Sequence, residues 1–318
     1  MRPYANLHLH SLHSDGKFTP EELVLLAKSE GYGAIAVTDH DAVSANEEMA
    51  YYAKKHGLES IFGCEFTASE RDDDGIQFHF VAFDFDASYP PMAKYLENMA
   101  ERQTDKTIVT LERCHKAGFM KELSMENVRE DNPGVEWFCN EQVFRSMVKR
   151  GLAKPEGYED WANDIWYYHE HQGEIPPLHA YIGSKEIIDL VHAAGGIVLL
   201  AHPHHQLHFI DGFIKMGLDG LEVYHPDLSA EEQLEAMRIA YEKNLFIAGG
   251  TDHSGALGGE YVSFEDPKQS PYYVEPGSFG TMREHFDELK TRKIGAREIK
   301  YTYTALDSRQ TSGNFKPI

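Results

Sequence analysis

The sequence predicts an α/β fold built on parallel strands. Three observations carry that prediction. Short apolar runs of strand length alternate with longer stretches of helical period. Helix signals bracket many of those stretches, with Thr or Ser caps, Pro at a first position and a closing Gly. Strand after strand then closes on His, Asp or Glu, as expected where parallel strands deliver side chains to one face at their C-terminal ends.

The first strand runs through Asn6-Leu7-His8-Leu9-His10 and enters a tight loop. Alternate strand side chains share a face, so His8 and His10 point the same way, and Asp15 follows after a turn favoured by Ser14 and Gly16. Two imidazoles and a carboxylate at one point make half of a divalent-metal site; the competing reading is a His-rich strand end with no ligand. Thr19 then caps a helix with Pro20 at its first position and Glu21 and Glu22 at its positive end, closing at Gly31. Ala34 to Val37 is a buried strand leading to Thr38-Asp39-His40-Asp41. His40 reads either as a ligand or as a hydrogen-bonded helix cap, while Asp39 and Asp41 read as capping and orienting groups. A second helix covers about Ser44 to His56, closed by Gly57, followed by a strand from Leu58 to Phe62 and by Gly63-Cys64-Glu65. An acidic turn, Asp72-Asp73-Asp74-Gly75, precedes a strand from Ile76 to Phe85 that contains His79.

From Tyr89-Pro90-Pro91 the pattern changes. Helical spacing governs about Met92 to Lys116, Asn140 to Arg150 and Asp160 to His171. Residues 92–180 are expected to form a helical insertion, with 1–91 and 181–318 forming the α/β domain; the alternative is a set of outer helices of that same domain. An inserted cap suits substrate-gripping groups because it closes over a site and excludes water. Arg145, on an apolar face with Val143, Phe144 and Met147, either holds phosphate with two hydrogen bonds or is a solvated surface arginine. His179 either faces the site or lies on a surface loop.

The α/β rhythm then returns. Glu186 to Ala194 is helical and Ile197 to Ala201 is a strand, whose end is set by His202-Pro203 because proline cannot continue a ladder. Leu218 to Val223 is a strand, Ser229-Ala230-Glu231-Glu232 is a capping box opening a helix to about Asn244, and Leu245 to Gly249 is a strand ending in Gly250-Thr251-Asp252-His253. A Pro/Gly/Tyr-rich segment, about Glu265 to Gly280, reads as a surface loop or a lid, and a last helix covers about Met282 to Lys293. The strand-end candidates are His8, His10, Asp15, His40, Glu65, His79, His202, Asp252 and His253. So many N and O donors exceed the needs of one ion and suit two or three. With no cysteine among them, Zn, Mn or Fe is favoured over a thiolate-rich structural zinc site.

The bulk composition narrows the partners. The chain of 318 residues is 42% hydrophobic and 26% charged, with a formal net charge of −22. No basic run is present, which disfavours a stable nucleic-acid complex. A small anionic substrate remains compatible, because bound cations reverse the local field. Three sparse cysteines, with no apolar run near spanning length and no apolar signal core, predict a cytoplasmic, non-membrane protein.

Taken together, His8-x-His10 with Ser14-Asp15-Gly16, Thr38-Asp39-His40-Asp41, Gly63-x-Glu65, His79, Ala201-His202-Pro203 and the Asp252 segment resemble the PHP family, named for polymerase and histidinol phosphatase. The likeness covers about residues 4–86 and 186–256, and is closest to stand-alone bacterial phosphoesterases with a helical insertion at this position. It implies a distorted (β/α)7 barrel with two or three metals at its C-terminal face. Two departures stand out. Relatives carry Ser-Asp-x-His where Asp252 and His253 are adjacent here, so either His253 reaches the metal through a changed loop or His204 substitutes. Related phosphatases have Arg-x-His in the insertion, where this chain has Asn140-Glu141-Gln142 with Arg145 further along.

The expected reaction is hydrolysis of a small nucleotide- or sugar-type phosphate ester by a hydroxide bridging two metals. His202, His253 and Asp252 are assigned catalytic roles, the histidines as general acids, while Arg145, His179 and His204 are assigned to the substrate. A cyclic phosphate diester, a 3′ to 5′ exonuclease and a non-catalytic metal-binding module are the other readings.

Overall fold

A computed structural model describes residues 2–68, 77–252 and 277–295. The acidic turn at Asp72 to Gly75, His253 and most of the Glu265 to Gly280 segment lie outside the described residues.

Strands β1 (Ala5–Asn6), β2 (Ala34–Ile35) and β3 (Glu59–Ser60) form a parallel sheet in that order. Strands β4 (Gly63–Ala68), β5 (Phe78–Phe83), β6 (Ile197–Leu200), β7 (Gly220–Tyr224) and β8 (Phe246–Gly249) form a second sheet, also in chain order. Isolated bridges Leu9–Asp252 and His40–Glu65 join the two sheets beside the candidate site. Gly250 permits one of these contacts, because a Cβ there would lie 2.4 Å from the His8 backbone nitrogen.

The expectation of parallel strands holds for β1–β2–β3 and for β6–β7–β8, but β5 runs antiparallel to both β4 and β6. The physical reason is connection length. Residues 69–77 are fewer than the dozen or so that a parallel crossover needs, so β4 and β5 pair antiparallel. Glu65, expected after a strand, therefore sits inside β4, opposite Val81.

The helices follow their local signals. In α1 (Pro20–Ser29) the Thr19 side chain accepts from the Glu22 backbone and the Glu22 carboxylate accepts from the Thr19 N–H, a complete capping box. Helix α2 (Asn46–His56) ends at Gly57 in the left-handed region, φ 82°. Between β5 and β6 the described residues hold only helices: α3 (Pro90–Ala117), α4 (Met125–Asp131), α5 (Asn140–Lys149) and the broken run α6 (Tyr158–Trp161) to α7 (Tyr167–Glu170), interrupted by a π-turn, then α8 (Ser184–Ala193). Helices α9 (Ile210–Met216) and α10 (Ala230–Lys243) flank β7, and α11 (Arg283–Thr291) packs on β8.

Period-two alternation sorts the core into layers. Val81, Phe83, Ile197 and Leu199 join Ala5, Leu7, Ala34, Ala36 and Ala248 in a cluster shared by both sheets. The alternate residues Phe80, Ala82, Val198 and Leu200 face α3, α8, α9 and α10. The helical stretch has a core of its own around Leu111, Val128, Phe144, Trp161 and Trp166. No described helix is long and apolar enough to cross a membrane.

Candidate metal centre

The centre gathers where the short strands stop and their polar end residues turn inward. Glu65 is its middle. Its Oε2 lies 3.3 Å from His8 Nε2, 3.2 Å from His10 Nε2 and 3.1 Å from His40 Nδ1, and its Oε1 lies 3.2 Å from His79 Nδ1 and 3.0 Å from His202 Nε2. Asp252 Oδ1 lies 3.1 Å from His10 Nε2 and 3.7 Å from His8 Nε2. Asp15 stands 3.2 Å from His10 Nδ1 and 3.5 Å from His40 Nε2. Eight of the nine strand-end candidates are thus brought together, and His253 is the one that falls outside the described residues.

Supporting residues hold these side chains in place. Glu222 Oε2 sits 2.9 Å from His8 Nδ1, so that nitrogen donates and Nε2 is left facing the carboxylates. The same Glu222 oxygen accepts the backbone N–H of His202. Asp39 orders the loop before Asp15: it accepts from the Ser11 N–H, the Ser11 hydroxyl and the Ser14 hydroxyl at 2.6–2.7 Å. Gly16 is required there, since a Cβ would stand 2.1 Å from the His10 carbonyl oxygen. Asp41, His202 and Asp252 all adopt positive φ, so the backbone is strained where strands turn into the site.

The electrostatics are those of a mutually compensating cluster. Burial opposes ionisation of Glu65, yet the imidazoles of His8, His40 and His79 hold its carboxyl well below the usual range. Burial likewise opposes charge on His8, and Glu222, Glu65 and Asp252 outweigh it, raising that imidazole. His202 is pushed to about 9, burial being overcome by Glu65, whereas burial dominates at His40 and lowers it to about 4. Among the described residues, Glu65 Oε2 and His79 Nδ1 are buried with no hydrogen-bond partner despite their close neighbours. Nitrogen and carboxylate lone pairs converging at 3.1–3.7 Å without hydrogen-bond geometry fit a divalent cation. Overlapping donor sets, their atoms within 4.8 Å of one another, include His8, His10, Glu65 and Asp252; His10, Asp15 and His40; His40, Glu65 and His79; and His8, Glu222 and His225.

The helical stretch closes one side. The Trp137 ring stacks near His40 at 6.1 Å between centroids. From α5, Gln142 donates to the carbonyls of Leu12 and Ser14. Arg145, expected at the substrate, instead donates to the Gly16 carbonyl at 3.1 Å and to Asn132 Oδ1 at 3.0 Å. A planar guanidinium suits two acceptors as well as a phosphate does, and loop carbonyls occupy it here. His179 and His204 are not in the cluster. His179 Nε2 pairs with Glu101 at 2.8 Å, and His204 Nδ1 pairs with Glu232 at 2.9 Å, because each faces an acidic helix residue on an exposed surface.

Two members escaped the sequence reading. Glu222 and His225 are fully buried at the end of β7, with His225 Nε2 3.6 Å from Asp252 Oδ2. The dipeptide His225-Pro226 repeats the His202-Pro203 pattern and would have pointed to it.

A strained, buried cluster of imidazoles and carboxylates at strand ends defines a metal-binding α/β protein. A family model described as PHP domain matches residues 6–258, and the chain belongs to that family. It is 26% identical over 257 residues to a 5′-3′ exoribonuclease of Haemophilus influenzae, covering 78% of this chain and 88% of that protein. It is 24% identical over 268 residues to a phosphoribosyl 1,2-cyclic phosphate 1,2-diphosphodiesterase of Eggerthella lenta, covering 82% and 98%. A 3′,5′-nucleoside bisphosphate phosphatase of Chromobacterium violaceum is 24% identical, covering 81% and 90%. Among solved structures, a Bifidobacterium adolescentis protein assigned as a metal-dependent phosphoesterase superposes with a TM-score of 0.70 at 24% identity, over 93% of this chain and 99% of that one.

Proposed function

We propose that this PHP-family chain is a metal-dependent phosphoesterase acting on small phosphate esters, with His8, His10, Asp15, His40, Glu65, His79, His202 and Asp252 holding two to three divalent ions. The observation that carries the reading is Glu65, one buried carboxylate faced by five imidazoles. When bound there, Mn, Zn or Fe would neutralise phosphoryl oxygens and make water nucleophilic near neutral pH. The chain's own residues do the rest. Glu222 fixes the His8 tautomer, Asp39 holds the Asp15 loop, and α5 grips that loop through Gln142 and Arg145.

A nucleotide- or sugar-type monoester is the first substrate class. A cyclic phosphate diester is the second, favoured by similarity along 98% of the Eggerthella lenta enzyme. The net charge of −22 speaks against a stable nucleic-acid complex, even though an exoribonuclease is among the relatives. Residues 92–180 are proposed as a cap, supported by their separate core. The strands are proposed as a distorted (β/α)7 barrel, supported by the cluster that β1, β2, β5, β6 and β8 share and by the two bridges between sheets. Three buried unpaired cysteines suit a reducing, cytoplasmic setting.

The test is a panel of sugar, nucleoside and cyclic phosphates assayed with Mn, Zn and Fe supplied separately. Turnover of at least one ester, abolished by chelation and restored by metal, is expected. Full activity in a verified metal-free sample, or a metal-loaded protein inert on the whole panel, would overturn the assignment.

A further inference from the structure

His225 is the buried imidazole of the centre whose wiring differs from that of its neighbours. His8 donates from Nδ1 to a carboxylate and turns Nε2 inward towards His10 and Glu65, the arrangement of a ligating histidine. His225 is wired the other way. Its Nδ1 accepts the backbone N–H of Asp227 at 3.2 Å, two residues on in the turn after β7. A neutral imidazole that accepts at Nδ1 carries its proton on Nε2, so the inward-facing nitrogen is a donor.

That donor is fully buried, and among the described residues it has no hydrogen-bond partner. The carboxylate oxygen Asp252 Oδ2 is 3.6 Å away, beyond hydrogen-bond range, and Asp227 Oδ2 is 3.9 Å from the other nitrogen. The ring centroid lies 5.7 Å from that of His8 and 5.4 Å from that of His202, so the N–H points into the centre rather than out of it. A buried N–H with no acceptor is costly unless something that enters the site supplies one. Arg145, the cation that best suited a phosphate, is held by the Gly16 carbonyl and Asn132.

We propose that His225 is a substrate-binding residue rather than a metal ligand, donating a neutral hydrogen bond from Nε2 to a non-ester oxygen of the phosphoryl group beside Asp252. The inference rests on the phosphoesterase reading above. It adds a fixed, tautomer-locked donor on the β7 side of the site.

Two substitutions separate the roles. In His225→Asn the amide reaches the Asp227 N–H but places no donor at the Nε2 position, whereas in His225→Gln the amide nitrogen reaches that position. Metal content is counted by elemental analysis, and inorganic phosphate binding to the metal-loaded proteins is measured by calorimetry. Both variants are expected to keep the wild-type metal count. Phosphate affinity is expected to fall about tenfold or more in His225→Asn and to stay within about threefold in His225→Gln, the range for one hydrogen bond to a charged acceptor. Loss of a metal ion in either variant makes His225 a ligand and overturns the proposal, as does unchanged phosphate affinity in His225→Asn. A wild-type protein that binds metal but neither binds phosphate nor cleaves any ester removes the phosphoesterase reading itself, a failure visible before any variant is made.

Discussion

Glu65 and Glu222 are both buried carboxylates, and each does a separate job. Glu65 faces five imidazoles and is shared among the donor sets, so Glu65→Gln is expected to remove at least one ion per chain and to lower turnover by about 100-fold or more. Elemental analysis and a phosphoester assay check both effects, and a full metal complement in the variant would contradict the central role given to Glu65. Glu222 holds the far side of His8 and the His202 backbone N–H. Glu222→Gln keeps the shape but weakens the orienting bond, and metal affinity is expected to fall about 10- to 100-fold with the fold intact. Competition with a metal-sensitive dye measures it.

At the scale of elements, the site depends on α5 gripping the loop that follows β1. Arg145→Ala deletes donors to the Gly16 carbonyl and to Asn132, leaving part-buried acceptors unpaired. The expected cost is about 1–3 kcal/mol of stability, read as a lowered Tm, together with weaker metal binding through Asp15. A variant with unchanged Tm and metal affinity would show that the loop holds itself. The strand layers are equally specific. Leu199 is fully buried between the two sheets, and Leu199→Ala is expected to destabilise by about 2–5 kcal/mol in urea titration. Helix starts such as the Thr19 cap and the Ser229–Glu232 capping box were visible in sequence because capping is local chemistry. The antiparallel setting of β5 was not, because an almost wholly apolar strand reads the same in either direction.

The whole molecule couples pH, metal and stability. Without metal, His8, His10 and His202 are raised despite their burial, through Glu222, Glu65, Asp15 and Asp252. Groups raised in the folded state contribute stability that is complete below the unfolded value near 6.5, and lose it as pH climbs through the folded value, about 9 for His202. Glu65 is depressed, so its contribution is present above the ordinary carboxylate range and fades in acid. Metal reverses the upper limb, because ligation needs deprotonated imidazoles. The metal-free protein is therefore expected to lose Tm between pH 6.5 and 9, while the gain in Tm on adding Mn or Zn grows over the same interval. Scanning calorimetry on both forms checks this, and a metal-induced gain that shrinks with rising pH would contradict it.

The sequence by itself determined the alternation of helices and strands and the chemistry of the site. His8-x-His10, His40, Glu65, His79, His202 and Asp252 each stand out within a few residues of a strand signal, and caps and strand ends are written in neighbouring residues. Only the tertiary structure decided which groups face which. It turned Arg145 to the Gly16 carbonyl, set His179 and His204 against Glu101 and Glu232, and drew Glu222 and His225 into the centre. The reason is range: a cap or a turn is settled by bonds across three or four residues, whereas the partner of a charged side chain comes from another element, as far as 214 positions away for His8 and Glu222, and its choice depends on burial that no local pattern encodes.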